Sequence, residues 1–235
     1  DNPNAYDTSE NDYFGNSVAI SGDRAIVGAS GEDTAGGNSS GKAYIFNTTT
    51  GNLVHTLDNP NAYDTEVGDA FSRSVAISGD RAIVGAANED DAGGLSSCKA
   101  YIFNVTTGAL VHTLDNPNAY DTSAYDEFGR SVSISGNRAI VGAYREDDSG
   151  GDLSGKAYIF NVATGALVHT LDNPSAYGTS YADQFGESVA ISGNYAVVGA
   201  YDEDDAGASK SGKAYIFNVS NGELVYTLDN PASIG

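Results

Sequence analysis

The sequence holds one cysteine, no methionine, no tryptophan and five prolines in 235 residues. With Cys98 alone, no intrachain disulfide can form, so the fold must rest on packing and hydrogen bonds. Cys98 also lacks the neighbouring histidine or helix start that would activate a thiol. Basic residues are scarce, 11 Lys and Arg against 32 Asp and Glu, for a formal charge of −21. Such a surface repels nucleic-acid phosphates and anionic lipid heads, which argues against a nucleic-acid partner. No apolar run approaches the roughly 18 residues of a membrane helix, so no helical membrane insertion is expected. No signal peptide is visible; the lack of Met, with Asp1 first, points to a processed product or a piece of a longer chain. Apolar residues at i, i+3 and i+4 are absent too, which removes amphipathic helices.

What the chain does have is repetition. Asp-Asn-Pro begins at Asp1, Asp58, Asp115, Asp172 and Asp229, always 57 residues apart. Phe14, Phe71, Phe128 and Phe185 keep the same register, as do Gly28-Ala29, Gly85-Ala86, Gly142-Ala143 and Gly199-Ala200. The units are therefore 1–57, 58–114, 115–171 and 172–228, and 229–235 starts a further linker. Cys98 stands where the other units carry Gly41, Gly155 and Gly212.

Within a unit, β-branched and aromatic residues alternate between turn formers. In the first unit this predicts strand a over Ser17–Ile20, strand b over Arg24–Ala29, strand c over Lys42–Phe46 and strand d over Leu53–Leu57. Turns are expected at Ser21-Gly22-Asp23 and Asn47–Gly51, an acidic loop at 30–41 and a linker at 58–69. Four short antiparallel strands in about 40–60 residues match a β-propeller blade. One such sheet cannot bury both faces alone, so the blades must stack. The fold class is all-β, a propeller-type array of four four-stranded antiparallel blades. Gly28 and Ala29 suit the crowded inner part of a blade, and Phe14, Tyr44 and Phe46 the contact between blades.

In a meander, the a–b and c–d turns share one end of the sheet, and the b–c loop and d–a linker share the other. All 32 acidic residues except Asp23, Asp80, Glu187 and Glu223 fall in the second group, giving an acidic rim. Its b–c loops carry Glu32-Asp33, Glu89-Asp90-Asp91, Glu146-Asp147-Asp148 and Glu203-Asp204-Asp205, each near glycine. Clustered carboxylates with free carbonyls form the oxygen-rich setting that Ca²⁺ prefers, so these are the candidate calcium residues; a solvated acidic face is the alternative. The linkers place Tyr6-Asp7, Tyr63-Asp64 and Tyr120-Asp121 at one position, and Tyr177 keeps the ring where Gly178 replaces the acid. An aromatic face beside hydrogen-bonding oxygen suits a glycan or a protein ligand, while packing of the tyrosine onto its own blade is the plainer reading.

Other features carry less. His55, His112 and His169 share one position on separate blades, which makes them strand residues rather than a metal site. Lys42, Lys99, Lys156 and Lys213 open strand c and are expected to neutralise the acidic loop beside them. The sequons at Asn38, Asn47, Asn104 and Asn218 are within chance for this composition. Carboxylate pairs are too abundant to mark a glycosidase, and no nucleophile triad, phosphate loop or zinc spacing occurs, so no enzyme is expected.

The run Phe14-Gly15-Asn16-Ser17-Val18-Ala19, followed by Ile26-Val27-Gly28-Ala29, resembles the FG-GAP repeat, the blade unit of integrin α-subunit propellers. The marks recur in all four units, except that Ser72 replaces the glycine after Phe71. The resemblance implies a propeller fold and a recognition or adhesion role outside the cell, at a cell or virion surface. Surface proteins of marine bacteria and of their phages would suit it. The family's calcium loop between its first two strands has no counterpart here, since only Ser21-Gly22-Asp23 and its equivalents fill that turn. Two roles follow: a non-catalytic recognition module for a protein or glycan, or a structural subunit whose partners are copies of itself.

Overall fold

The computed structural model describes residues 3, 10–34, 38–60, 68–90, 98–117, 125–147, 153–174, 182–204 and 209–231. They form four four-stranded antiparallel sheets, each a meander in chain order. The first contains β1 (Phe14–Ser21), β2 (Arg24–Ala29), β3 (Lys42–Asn47) and β4 (Leu53–Asp58). The second contains β5 (Phe71–Ser78), β6 (Arg81–Ala86), β7 (Lys99–Asn104) and β8 (Leu110–Asp115). The third contains β9 (Ser131–Ser135), β10 (Arg138–Ala143), β11 (Lys156–Asn161) and β12 (Leu167–Asp172). The fourth contains β13 (Phe185–Ser192), β14 (Tyr195–Ala200), β15 (Lys213–Asn218) and β16 (Leu224–Asp229). No α-helix occurs among the described residues.

The turns follow from their residues. Gly22 takes φ 57° at the first central position of the two-residue β1–β2 turn, as a II′ hairpin requires. In the β3–β4 turn the Asn47 side chain accepts the Thr49 and Thr50 amides at 3.0 and 2.9 Å. Asn161, which is not in a sequon, does the same with Ala163 and Thr164. Asparagine thus serves turn geometry at this position, with or without the downstream hydroxyl. β1 begins three residues earlier than its alternating run suggests. A bulge between Phe14 and Val18, with Gly15 at φ 92°, lets Phe14 pair with Ala29 before the regular register starts.

Alternation separates two faces, and both are apolar. On one face of the second sheet, Phe71, Val75, Ile77, Val84, Tyr101 and Phe103 meet Ile26, Ala43, Ile45 and Leu57 of the first sheet. The same arrangement recurs between the second and third sheets and between the third and fourth. The Phe and Tyr rings come from one sheet, with centroids 5.8–5.9 Å apart in all four, and in the second to fourth sheets they face the preceding sheet. The aromatic cluster is therefore one half of each blade contact. The first strands β1, β5, β9 and β13 pack on one another in sequence. Serine hydroxyls stitch them: Ser21, Ser78 and Ser135 accept the amides of Gly79, Gly136 and Gly193.

Two further repeat positions join neighbouring blades. Gly85 and Gly142 lie where an added Cβ would stand 2.0 Å from the carbonyl oxygens of Gly129 and Gly186 in the next unit, so no side chain fits there. His55 Nε2 sits 2.9 Å from the Thr106 carbonyl and His112 Nε2 3.1 Å from that of Ala163. These histidines hold the next blade's turn.

Candidate functional site at the loop edge

The β2–β3 loop and the linker that follows β4 lie side by side. Gly68, Ala70 and Phe71 donate their amides to the carbonyls of Asn38, Ser39 and Ser40. Gln184 and Phe185 repeat this with Leu153 and Ser154. These hydrogen bonds put both loop types on one edge of the array.

The Asp-Asn of each linker start is structural. Asp58, Asp115, Asp172 and Asp229 pair with Lys42, Lys99, Lys156 and Lys213, which stand directly opposite on the adjacent strand. The lysines thus neutralise an acid of the linker start. The next residue clasps the linker's far end: Asn59, Asn116 and Asn173 donate to Asp69, Asp126 and Asp183 at 2.7–2.9 Å. Those aspartates are buried. The residue after each, Ala70, Glu127 or Gln184, and Tyr13 after the equally buried Asp12, has φ of 52–56°. A non-glycine residue holds that left-handed conformation only where its surroundings fix it. Here the buried aspartate on one side and the buried phenylalanine at Phe71, Phe128 and Phe185 on the other do so.

The four glutamates of the acidic loops are wholly buried. Glu32, Glu89, Glu146 and Glu203 accept hydrogen bonds from the hydroxyls of Tyr44, Tyr101, Tyr158 and Tyr215 at 2.5–2.6 Å. Their main chains close the loop, since Gly41, Cys98, Gly155 and Gly212 donate amides to their carbonyls. Burial, opposed by the tyrosine hydrogen bond, pushes the Glu146 carboxyl up to about 8 and that of Glu203 to about 7. The tyrosines are pushed up as well, first by burial. Asp33, Asp147 and Asp204 accept the amides six residues on, of Ser39, Leu153 and Lys210, at 2.7–2.8 Å. The glutamates therefore anchor the loop inward, and the aspartates brace it. Asp90 is half-buried in the same loop. Asp91, Asp148 and Asp205 lie outside the described residues, as do Tyr6, Asp7, Tyr63, Asp64, Tyr120, Asp121 and Tyr177. Among the described residues, no three His, Cys, Asp or Glu side chains gather as a metal-holding group.

The units differ most at this edge. The third brings Glu127 between Arg130 and Arg145, at 3.4 and 3.1 Å. Both guanidinium groups lie over the Tyr144 ring, 5.7 and 5.9 Å from its centroid. Burial and Glu127 push the Tyr144 hydroxyl up to about 12. The fourth builds another set there: Gln184 bonds Tyr201 at 2.7 Å and Asp202 at 3.1 Å, and Lys210 reaches Asp202 at 2.8 Å. Sequence reasoning missed both groups, because each residue is unremarkable until the loop and the linker are side by side. A position-by-position comparison of the units would have found them, with Tyr13, Ala70, Glu127 and Gln184 at one place and Gly31, Asn88, Arg145 and Asp202 at another.

No curated protein matches the chain. The FG-GAP repeat model matches residues 4–46, 61–103, 118–160 and 175–217, one segment for each sheet and again 57 residues apart. With four matches over most of its length, each spanning the phenylalanine of the first strand and the Gly-Ala end of the second, the chain belongs to the FG-GAP repeat family.

Proposed function

We propose that the chain is a non-catalytic recognition module that meets a basic protein partner through its loop edge. FG-GAP repeats are typical of extracellular or surface proteins, and their fold is generally non-enzymatic. No helix of the described residues is long and apolar enough to cross a membrane. The observation that carries the reading is a coincidence of place. The loops that hold nearly all the acid in the sequence of a chain of charge −21 are also where near-identical units diverge, at Glu127, Arg130, Tyr144 and Arg145 and at Gln184, Tyr201, Asp202 and Lys210. Charge of one sign steers an oppositely charged partner, and the unlike groups would set which one is held.

The test is surface plasmon resonance against a panel of basic peptides, their acidic counterparts and neutral glycans. Binding to basic peptides should weaken with salt and fall at least tenfold in Tyr144→Ala and Tyr201→Ala, with melting unchanged. Salt-insensitive binding to a neutral glycan, lost in Tyr63→Ala and Tyr120→Ala, would move the site to the linker tyrosines. No binding in either panel would remove the reading. Calcium is proposed as an auxiliary ligand of the aspartate side of these loops; equal melting in millimolar Ca²⁺ and in EDTA would eliminate it.

A further inference from the structure

We infer that the chain associates head to tail with a second copy of itself, the free face of its fourth sheet taking the free face of the copy's first sheet. The observation is that the array ends in two unlike apolar faces, and each is half of an interface already built three times within the chain. In the second sheet, Val75 and Ile77 are 6% and 7% exposed; their equivalents Val18 and Ile20 on the first sheet are 66% and 69% exposed. Leu57, Leu114 and Leu171 are each 1% exposed, and their equivalent Leu228 on the fourth sheet is 45% exposed. The array is thus open, with Val18 and Ile20 exposed at its head and Tyr195, Val197, Tyr226 and Leu228 exposed at its tail.

The steric fit continues across these ends. Gly85 and Gly142 are held free of side chain by the carbonyls of Gly129 and Gly186. Gly199 holds the same position on the fourth sheet and meets only Ser188 of its own sheet, while a Cβ on Gly15 meets nothing within 4 Å. Seated head to tail, Gly199 comes under the second copy's Gly15 carbonyl. Ser188 then stands where Ser74 and Ser131 donate to the Gly129 and Gly186 carbonyls. Ser192 stands where its equivalents accept a glycine amide, that of the second copy's Gly22. The turns agree as well. An added Cβ on Gly108, Gly165 or Gly222 meets the preceding blade's histidine ring at 2.9–3.0 Å, whereas Gly51 is open. Its counterpart is the exposed Tyr226.

Such a contact is heterologous, so it repeats until a ring closes or runs on as a filament. Two copies, with eight sheets, form the smallest ring that leaves no free face. Because each copy carries −21, association strengthens with salt.

Light scattering on a sizing column at physiological salt tests this inference independently of any ligand. The unmodified chain should elute at a multiple of 24.2 kDa. Ile20→Asp spoils the head at an exposed position, and Gly199→Val the tail where a Cβ meets only the rotatable Ser188 side chain of its own sheet, so each variant alone should elute as one chain. Mixed in equal amounts, they retain one sound head and one sound tail, and should form a species of two chains and no larger. Leu228→Glu checks the tail a second time, and urea unfolding confirms that each variant is folded. A single-chain mass for the unmodified protein at about 100 μM, above the Kd of a weak specific contact, would overturn the inference. So would an Ile20→Asp or Gly199→Val variant that keeps the unmodified mass, since the copies would then meet through another surface.

Discussion

The glycines of the second strands offer one substitution in four settings. In Gly142→Ala the new Cβ would lie 2.0 Å from the Gly186 carbonyl oxygen and 2.5 Å from the Ser131 hydroxyl. Ordinary contact begins near 3.4 Å, so the third and fourth sheets must part by about 1.4 Å, and the Ser131–Gly186 hydrogen bond of 2.8 Å stretches with them. Overpacking costs about 1–3 kcal/mol and a lost hydrogen bond about 1 kcal/mol. Replacing glycine in an ordinary strand conformation returns about 0.4–1 kcal/mol through the unfolded chain. The net loss is about 2–3 kcal/mol, which for this length lowers Tm by roughly 5–10 °C. Gly85→Ala should match it. Gly28→Ala meets Ser72 at 2.5 Å and should fall between. Gly199→Ala meets only the rotatable Ser188 hydroxyl and should be neutral or stabilising by about 0.5 kcal/mol. The assay is urea and thermal unfolding of all four in the Ile20→Asp background, which keeps the chain single, with midpoints compared because stacked repeats need not unfold in one step. Equal losses for Gly142→Ala and Gly199→Ala would refute the reasoning, because the cost would then belong to the strand and not to the neighbouring sheet.

Two other perturbations reach the loop edge and the blade contact. The Glu146 carboxyl titrates near 8 in the folded chain, raised from 4.5 by burial, so folding favours its neutral form. Its contribution is fully present below the unfolded value and is lost as pH rises through about 8. The unmodified protein should therefore lose stability from pH 5 to pH 8. Glu146→Gln should flatten that slope by a few kcal/mol, taking about 1.4 kcal/mol per unit; equal slopes in urea titrations would count against a neutral buried acid. Cys98→Gly addresses the third sheet. At the equivalent Gly41 and Gly155, a Cβ would lie 2.2 and 2.0 Å from the carbonyls of Phe71 and Phe185. Cys98 brings a Cβ there at φ 69°, and β9 starts at Ser131, without the Phe–Ala pairing of β5 and β13. Restoring glycine should raise stability by about 1 kcal/mol, read by urea unfolding; a loss would mean that the Cys98 hydrogen bond to the Ala87 carbonyl outweighs the strain.

The strands were legible because β-branched runs alternate between glycine turns, and the stacking was legible because both faces of each run are apolar. The residues that misled are those whose partner comes from elsewhere in the fold. Glu32 and its equivalents stand beside glycines and aspartates, and in sequence they look solvated. Their fixed spacing to Tyr44, Tyr101, Tyr158 and Tyr215 was the available sign that each reaches a buried hydroxyl. Lys42 follows an acidic loop, yet strand register sets it opposite Asp58. His55 reads in sequence only as a strand residue, because its partner lies in the next unit's turn.

The same logic explains where the fourth unit departs from the others. Arg138, Ile140 and His169 of the third unit become Tyr195, Val197 and Tyr226, all with substantial exposure on the fourth sheet. Ile140 and His169 face the next blade in the third unit. The changes remove a charge, keep an aliphatic residue and replace an imidazole with a larger ring. An apolar face with altered details is what a contact with a slightly different neighbour requires, and the first unit supplies such a neighbour. Its turn carries Thr48 where the other units have Val105, Val162 and Val219. On the free face of the fourth sheet, Tyr226 is the residue whose reach would span the difference.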